Sequence, residues 1–386
     1  MERTYATGSM VSIVTRKGSV IMAYTFDQAK AAFRNERIRE LSGDPSGLRF
    51  LKLRSLSRRE YMERLAGECG IDTSGLSGER LLRRLYEAQI DNKDIESTIR
   101  AIYSEERAER QRGEDELISE LYKLNVFDWG GLHQNSLEKT IVDNYVKKIQ
   151  SFDRLCDCIE GELHQSLRGY VLCSWYNHWT STIIEDIFRD HPAVLPAVGL
   201  IKKIDFFFSD VPFDLKVTYM PEGFISAKRA AEGLRPELTL LKRFCRVHSI
   251  HFDSELPDAR LKEDLWAKVA DYPSDAASEL ISDLRERRIT YLQAAIDEPL
   301  ELIQWFYENQ GLRRFDASNR LFLVLVDQDN FFDSWKLKRA KPLLVDKIHS
   351  HLTRAAANPG MEVGFDWDAT QYSVIADIVF VVHSRI

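Results

Sequence analysis

The chain has 386 residues, 44% hydrophobic, 29% charged and 11% aromatic, enough apolar content to bury a sizeable core, so disorder is excluded as its main state. Only 11 Pro and 19 Gly exclude a fibrous or low-complexity chain, and the longest uncharged apolar runs fall short of a membrane span. The formal net charge of −7 argues against a broadly basic nucleic-acid binder, yet residues 1–100 carry 18 Lys and Arg against 14 Asp and Glu, which permits a basic face on an acidic protein. Five cysteines (Cys69, Cys156, Cys158, Cys173, Cys245) and a start, Met1-Glu2-Arg3-Thr4-Tyr5, without a long apolar stretch point to a reduced, cytoplasmic setting with no membrane partner.

In chain order, Met10–Thr15 and Ser19–Tyr24 read as a hairpin around Arg16-Lys17-Gly18. Thr25 can cap a helix to about Leu41, Ser57 one to about Cys69 with Gly70 as its stop, and Ser77 a third through Leu85. Arg100–Tyr122, rich in Glu and Arg at helical spacing, reads as a solvated connecting helix. Asp128-Trp129-Gly130-Gly131, within Asn125–Gly131, breaks that pattern and divides a mainly helical N-terminal domain, residues 1–130, from a second domain, residues 131–386. Apolar spacing of three and four from Ser136 to Asp190 gives helices that His191-Pro192 stops. Leu200–Ser209 and Phe213–Met220 read as paired strands separated by Asp210-Val211-Pro212. A helical insertion at about residues 226–318 includes Glu279–Arg288 and Leu300–Asn309; Leu321–Val326 is a buried strand, Ser334–Ala355 a helix and Tyr372–Val382 a last strand. The fold class is α/β, a mixed sheet flanked by helices.

Period-two geometry puts Asp214, Lys216 and Thr218 on one strand face and Phe213, Leu215 and Val217 on the other. If the turn centres near Ser209-Asp210, paired residue numbers sum to 419 and Asp205 lies opposite Asp214, close enough for one hard cation to bridge both carboxylates beside Lys216. An acid two residues before a lysine occurs twice, at Asp91-Asn92-Lys93 and Asp214-Leu215-Lys216. Only the second lies in a strand preceded by another with an acid at matching parity.

Through Ile204-Asp205 followed by Asp214-Leu215-Lys216, the chain resembles the PD-(D/E)XK nuclease superfamily, with its restriction-endonuclease-like fold. The resemblance covers roughly residues 135–386, with Ile204 where the family carries Pro. It implies an acidic helix, here Tyr170–Arg189 with Glu185, then the strand pair, then a helix and a further strand. It also implies metal-assisted phosphodiester hydrolysis: Asp205 and Asp214 with Glu185 as the metal-side acids, Mg²⁺ or its substitute Mn²⁺ as cofactor, and Lys216 orienting or deprotonating the attacking water. The implied substrate is DNA, in bacterial restriction or anti-phage defence, with a homodimer or a defence-system protein as partner. Competing readings are a non-catalytic helical scaffold or DNA-binding protein whose acidic face is salt-bridged, and an RNA nuclease with the same site.

Other features weigh less. Cys156-Asp157-Cys158 with His164 lacks the second cysteine pair of a zinc site, and His248/His251 and His349/His351 lack nearby acids in any known ligand spacing and read as surface histidines. No Walker-type loop or nucleophile elbow occurs. The basic stretches for DNA contact are Trp335–Lys341, Arg285–Arg288 and Lys242-Arg243 with Arg246, and Leu65–Leu85 has the composition of a small helical nucleic-acid-binding unit.

Overall fold

Thr25 does cap a helix: its hydroxyl accepts from the Gln28 amide at 3.3 Å while the Gln28 side chain accepts from the Thr25 amide at 2.9 Å, a reciprocal capping box. In the computed structural model, which describes residues 12–14, 20–22, 24–127, 141–199, 201, 203–309, 318–367 and 370–384, that helix is Phe26–Arg34. It stops where Glu36 takes a φ of 61°, so the single helix expected to about Leu41 is two, the second being Ile38–Ser42. The helix Pro45–Ser55 was not foreseen, although Asp44 accepts from the Ser46 and Gly47 amides and Pro45 fills a first-turn position that needs no donor. Arg59–Glu68 and Gly78–Glu87 lie where helices were expected, but Arg58 and not Ser57 precedes the first, and the Ser77 side chain makes no cap bond to the second. Strands β1 (Ser12–Val14) and β2 (Val20–Met22) pair antiparallel as expected; the turn at Arg16-Lys17-Gly18 lies outside the described residues, as do Asp128–Gly131 at the expected domain boundary.

The stretch read as a solvated connector is instead two packed helices, Asn92–Gln111 and Glu114–Leu121. Ile95, Ile99 and Ile102 enter the core, and Arg107 is buried among Glu114, Asp186 and Asp190 at 3.1, 3.5 and 3.0 Å. A buried guanidinium stays charged at tolerable cost only within such a ring of carboxylates. The charge pattern that suggested solvent therefore encodes a docking contact with the long helix His164–Arg189.

The main sheet has six strands in the order β3-β4-β5-β6-β8-β7, namely β3 (Val194–Pro196), β4 (Phe206–Phe208), β5 (Val211–Tyr219), β6 (Arg320–Asp327), β7 (Met361–Trp367) and β8 (Thr370–His383). β4 pairs antiparallel with both β3 and β5, β5, β6 and β8 run parallel, and β7 pairs antiparallel with β8. Thus the protein is a mixed α/β fold with helices on both sheet faces. On one face, Phe206, Phe208, Phe213, Leu321, Leu323 and Leu325 pack against the helices His164–Arg189 and Lys341–Ala355. On the other, Phe322, Val324 and Val326 pack against Phe224, Leu292, Leu302 and Phe306 of the helical insertion. At β3 and β4 that second face is covered by the N-terminal helices, whose core takes in Leu195 and Phe207. Gly199 sits at this seam, where a Cβ would lie 2.5 Å from the Ser55 carbonyl oxygen that its own amide bonds, so no side chain fits.

One boundary, one strand and one charged stretch differ from expectation. Ser334–Ala355 is a 3₁₀ stretch, Phe331–Arg339, followed by the α-helix Lys341–Ala355, because Pro342 cannot donate within a continuous helix. β7 was missed, its Glu362, Gly364 and Asp366 diluting the apolar signal of an edge strand. Arg285–Arg288 is no open basic face: Arg288 is 2% exposed, bonded to Glu237 at 2.5 and 3.0 Å and set over Trp266 and Phe331.

That last pair yields a stability test. We expect Glu237→Leu to lower the unfolding free energy by about 3 kcal/mol, since it leaves the buried Arg288 guanidinium with Glu222 as its one remaining carboxylate partner, and Glu237→Leu with Arg288→Met to recover part of the loss. Urea denaturation of the single and double variants measures both; equal loss in the two would show that the charges do not interact.

Candidate active site

The Asp205 and Asp214 carboxylates are brought together by a hairpin. Ser209 and Asp210 have φ values of 46° and 70°, the left-handed pair that a two-residue turn demands, and they join β4 to β5 in the register Phe206↔Phe213, Phe207↔Pro212, Phe208↔Val211. Paired numbers sum to 419, as the sequence implied. Val211 and Pro212 belong to β5 rather than to the turn, and β4 is shorter than expected, with residues 203–205 outside it. Pro212 is tolerated because β6 joins β5 only from Asp214 onward, so the missing donor breaks no ladder on that side.

Asp205 immediately precedes β4 and lies outside its ladder, one residue off the 419 sum in its backbone bond. Its amide bonds the Phe213 carbonyl at 2.8 Å, and its Oδ2 accepts from the Leu215 amide at 2.7 Å, taking the place of a backbone acceptor. Burial first, and then the neighbouring Asp214 charge, push the Asp205 carboxyl above the usual carboxylate range; the Leu215 amide opposes this. Asp214 and Lys216 sit on the opposite face of β5 from Phe213 and Leu215, which are buried in the core. Lys216 Nζ donates to Asp214 Oδ1 at 2.8 Å. Glu185, on the helix His164–Arg189, pairs with Arg189 at 2.9 Å; burial raises its pKa, with Arg189 opposing and Asp205 reinforcing the rise. The same Arg189 donates to the Asp205 carbonyl at 3.3 Å. Asp205 thus interacts with Glu185 on one side and with Asp214 and Lys216 on the other.

Sequence reading missed Arg320. It lies beside Asp214 in the parallel β5/β6 register, 3% exposed, with Nε 3.5 Å from Asp214 Oδ2. Because the apolar run begins at Leu321, Arg320 looked like loop; only the strand register reveals it. Among the described residues no three His, Cys, Asp or Glu side chains are grouped as a ready ligand set. Chemically the site offers hard oxygen donors, a lysine and a buried arginine, the residue types that bind and polarise a phosphodiester.

The other candidates resolve differently. Much of the Trp335–Lys341 stretch is interior: Lys338 is buried and bonds Asn177, Arg339 donates to the Leu121 and Leu124 carbonyls, and Lys341 pairs with Glu114. Arg243 and Arg246 are exposed. His351 is not without an acid, since it bonds Asp377 at 2.8 Å, and His349 bonds the Ile187 carbonyl. Cys156 and Cys158 are free thiols on the helix Phe152–Cys158. No helix among the described residues is long and apolar enough to cross a membrane.

Raised carboxyls have a thermodynamic signature. A folded-state pKa above the unfolded one contributes stability that is complete below the unfolded value, near 3.8 for Asp205, and lost as pH rises through the folded value. We therefore expect Asp205→Asn, which can still accept from the Leu215 amide, to raise Tm at pH 7, with the gain shrinking toward zero as pH falls to about 4. Melting curves across that range check the sign; a lower Tm at pH 7 would mean that Asp205 is stabilised by its neighbours instead.

No family model matches the chain, and no curated protein or solved structure shows a significant similarity to it.

Proposed function

We propose that this protein is a metal-dependent nuclease that hydrolyses DNA phosphodiester bonds from a restriction-endonuclease-like core. The observation that carries the reading is the meeting of Asp205, Asp214 and Lys216 across one strand pair, with Glu185 coupled to Asp205. The element order supports it: an acid-bearing helix, a strand pair with the acids and the lysine, helices, and the further strand β6, the order that the resemblance to the PD-(D/E)XK superfamily implies. Asp205 and Asp214 would hold Mg²⁺ or Mn²⁺, oxygen donors being what these ions prefer, and Glu185 would act on the site through its interaction with Asp205. When bound, the ion supplies charge neutralisation at the phosphorane and acidifies a water.

The chain's own groups have separate tasks in this reading. The Leu215 amide orients the Asp205 carboxylate, and the proximity of like charges at Asp205, Asp214 and Glu185 disfavours the cation-free site. Lys216 Nζ donates to the attacking water or to the scissile phosphate. Arg320 holds Asp214 from the β6 side. A place in bacterial defence, in the cytoplasm and with a second copy or a defence-system protein, is proposed on the resemblance alone.

One observation favours the rival, non-catalytic scaffold. Asp214 already faces two cations, Lys216 at 2.8 Å and Arg320 at 3.5 Å, as in a salt-bridged sheet face. Plasmid incubated with purified protein should be cut with Mg²⁺ and left intact with excess chelator, and Asp214→Asn should slow cleavage by orders of magnitude. Lys216→Arg keeps the charge but misplaces the donor, so it should fold and bind DNA yet cut at least about a hundredfold more slowly in single turnover. Near wild-type cutting by Lys216→Arg would take Lys216 out of the mechanism and return the motif to the scaffold reading.

A further inference from the structure

At the carboxyl ends of β5 and β6 lies a cavity of about 880 Å³, within the size range of small-molecule sites. Here β5 and β6 run parallel, so their carboxyl ends open on the same side, and ligands of open α/β sheets bind in crevices outside the carboxyl ends of strands. The cavity walls carry the planar rings of Trp305, Phe332 and Trp335, with Glu263 and Asp333 among them. The rings are held in place by packing: Trp335 stacks on Phe127 at 5.1 Å, and Phe332 meets Trp266 edge-on at 5.7 Å. Asp333 is fixed by Lys336 at 2.8 Å and Asn330 at 3.1 Å.

Aromatic planes with interspersed carboxylates suit a flat, nitrogen-rich ligand. Rings stack on any base, whereas a carboxylate accepts from an exocyclic amine and repels both phosphate and a carbonyl edge. Thr218, on the cavity wall, shares a strand face with Lys216 and lies two residues beyond it, about 7 Å along β5. The cavity thus begins two residues along β5 from the group proposed to meet the scissile phosphate.

We propose that this cavity receives a nucleobase bearing an exocyclic amine, cytosine, adenine or guanine, swung out of a nucleic acid whose phosphate lies at Lys216. The base would stack among Trp305, Phe332 and Trp335 while its amine donates to Glu263. Burial holds the Glu263 carboxyl above its usual range, with Arg260 opposing and Asp333 reinforcing. Extrusion costs a few kcal/mol in a duplex and least in a mismatched or single-stranded segment, so the pocket would favour such substrates. The placement of the phosphate rests on the nuclease reading; the pocket's choice of base does not.

The test uses free nucleosides and the full chain, so no cleavage is needed. Saturation-transfer NMR should detect cytidine and adenosine, with thymidine at least about tenfold weaker, the scale of a lost hydrogen bond to a charged group. Glu263→Ala should weaken cytidine by a similar factor, and Trp305→Ala should weaken all three, with thermal melts confirming that each variant folds. Thymidine bound as tightly as cytidine, or Glu263→Ala binding like wild type, overturns the proposal. A protein that cuts DNA with Mg²⁺ yet ignores nucleosides refutes the pocket alone; one that binds cytidine through Glu263 and never cuts refutes the nuclease reading and leaves the pocket's base preference standing.

Discussion

Lys52 is 1% exposed, and its Nζ bonds both Asp210, in the turn between β4 and β5, and Glu96, on the helix Asn92–Gln111, at 2.6 Å. That one buried ammonium ties the turn to the N-terminal helices, and the turn in turn fixes the register of β4 against β5. The parity of the sheet makes this register expensive to lose. A slip of one residue would send Asp214 and Lys216 into the core now filled by Phe213 and Leu215, at a desolvation cost of several kcal/mol per charge. The arrangement of Asp205, Asp214 and Lys216 is therefore a consequence of packing, whatever chemistry it serves.

What was legible in the sequence was the part governed by local geometry. The run Phe206-Phe207-Phe208, a two-residue turn and Asp214-Leu215-Lys216 carry a period-two signal strong enough to read faces and partners without coordinates. Helix caps such as Thr25 behaved likewise. What depended on distant pairing was not legible. Arg320 becomes part of the site only through its parallel register with Asp214, more than a hundred residues away, and His351 finds Asp377 on a neighbouring strand rather than in its own segment.

Charge was the least faithful guide, because the sequence does not say which side of a helix a guanidinium occupies. Arg107, Arg288 and Arg339 sit in runs that look solvated, yet each is turned inward to carboxylates or carbonyls. The interior thus uses cations to join elements, Arg107 and Arg110 clamping the helix that carries Glu185, and Arg339 fastening the 3₁₀ stretch to Leu121. Replacing such a residue as a supposed DNA contact would test folding, not binding.

The N-terminal helices do not complete their own core. Leu195, Ala197, Val198, Ile201, Ile204 and Phe207 belong to the same cluster as Phe50, Leu81 and Ile99, with Tyr103 the last contributor before a gap of some 90 residues. On the ribosome, at about 5–20 residues per second, those missing pieces emerge roughly 5–20 s after Tyr103. During that interval the helices hold an uncovered apolar face, the kind of surface that chaperones engage, and the emergence of β3 and β4 closes it.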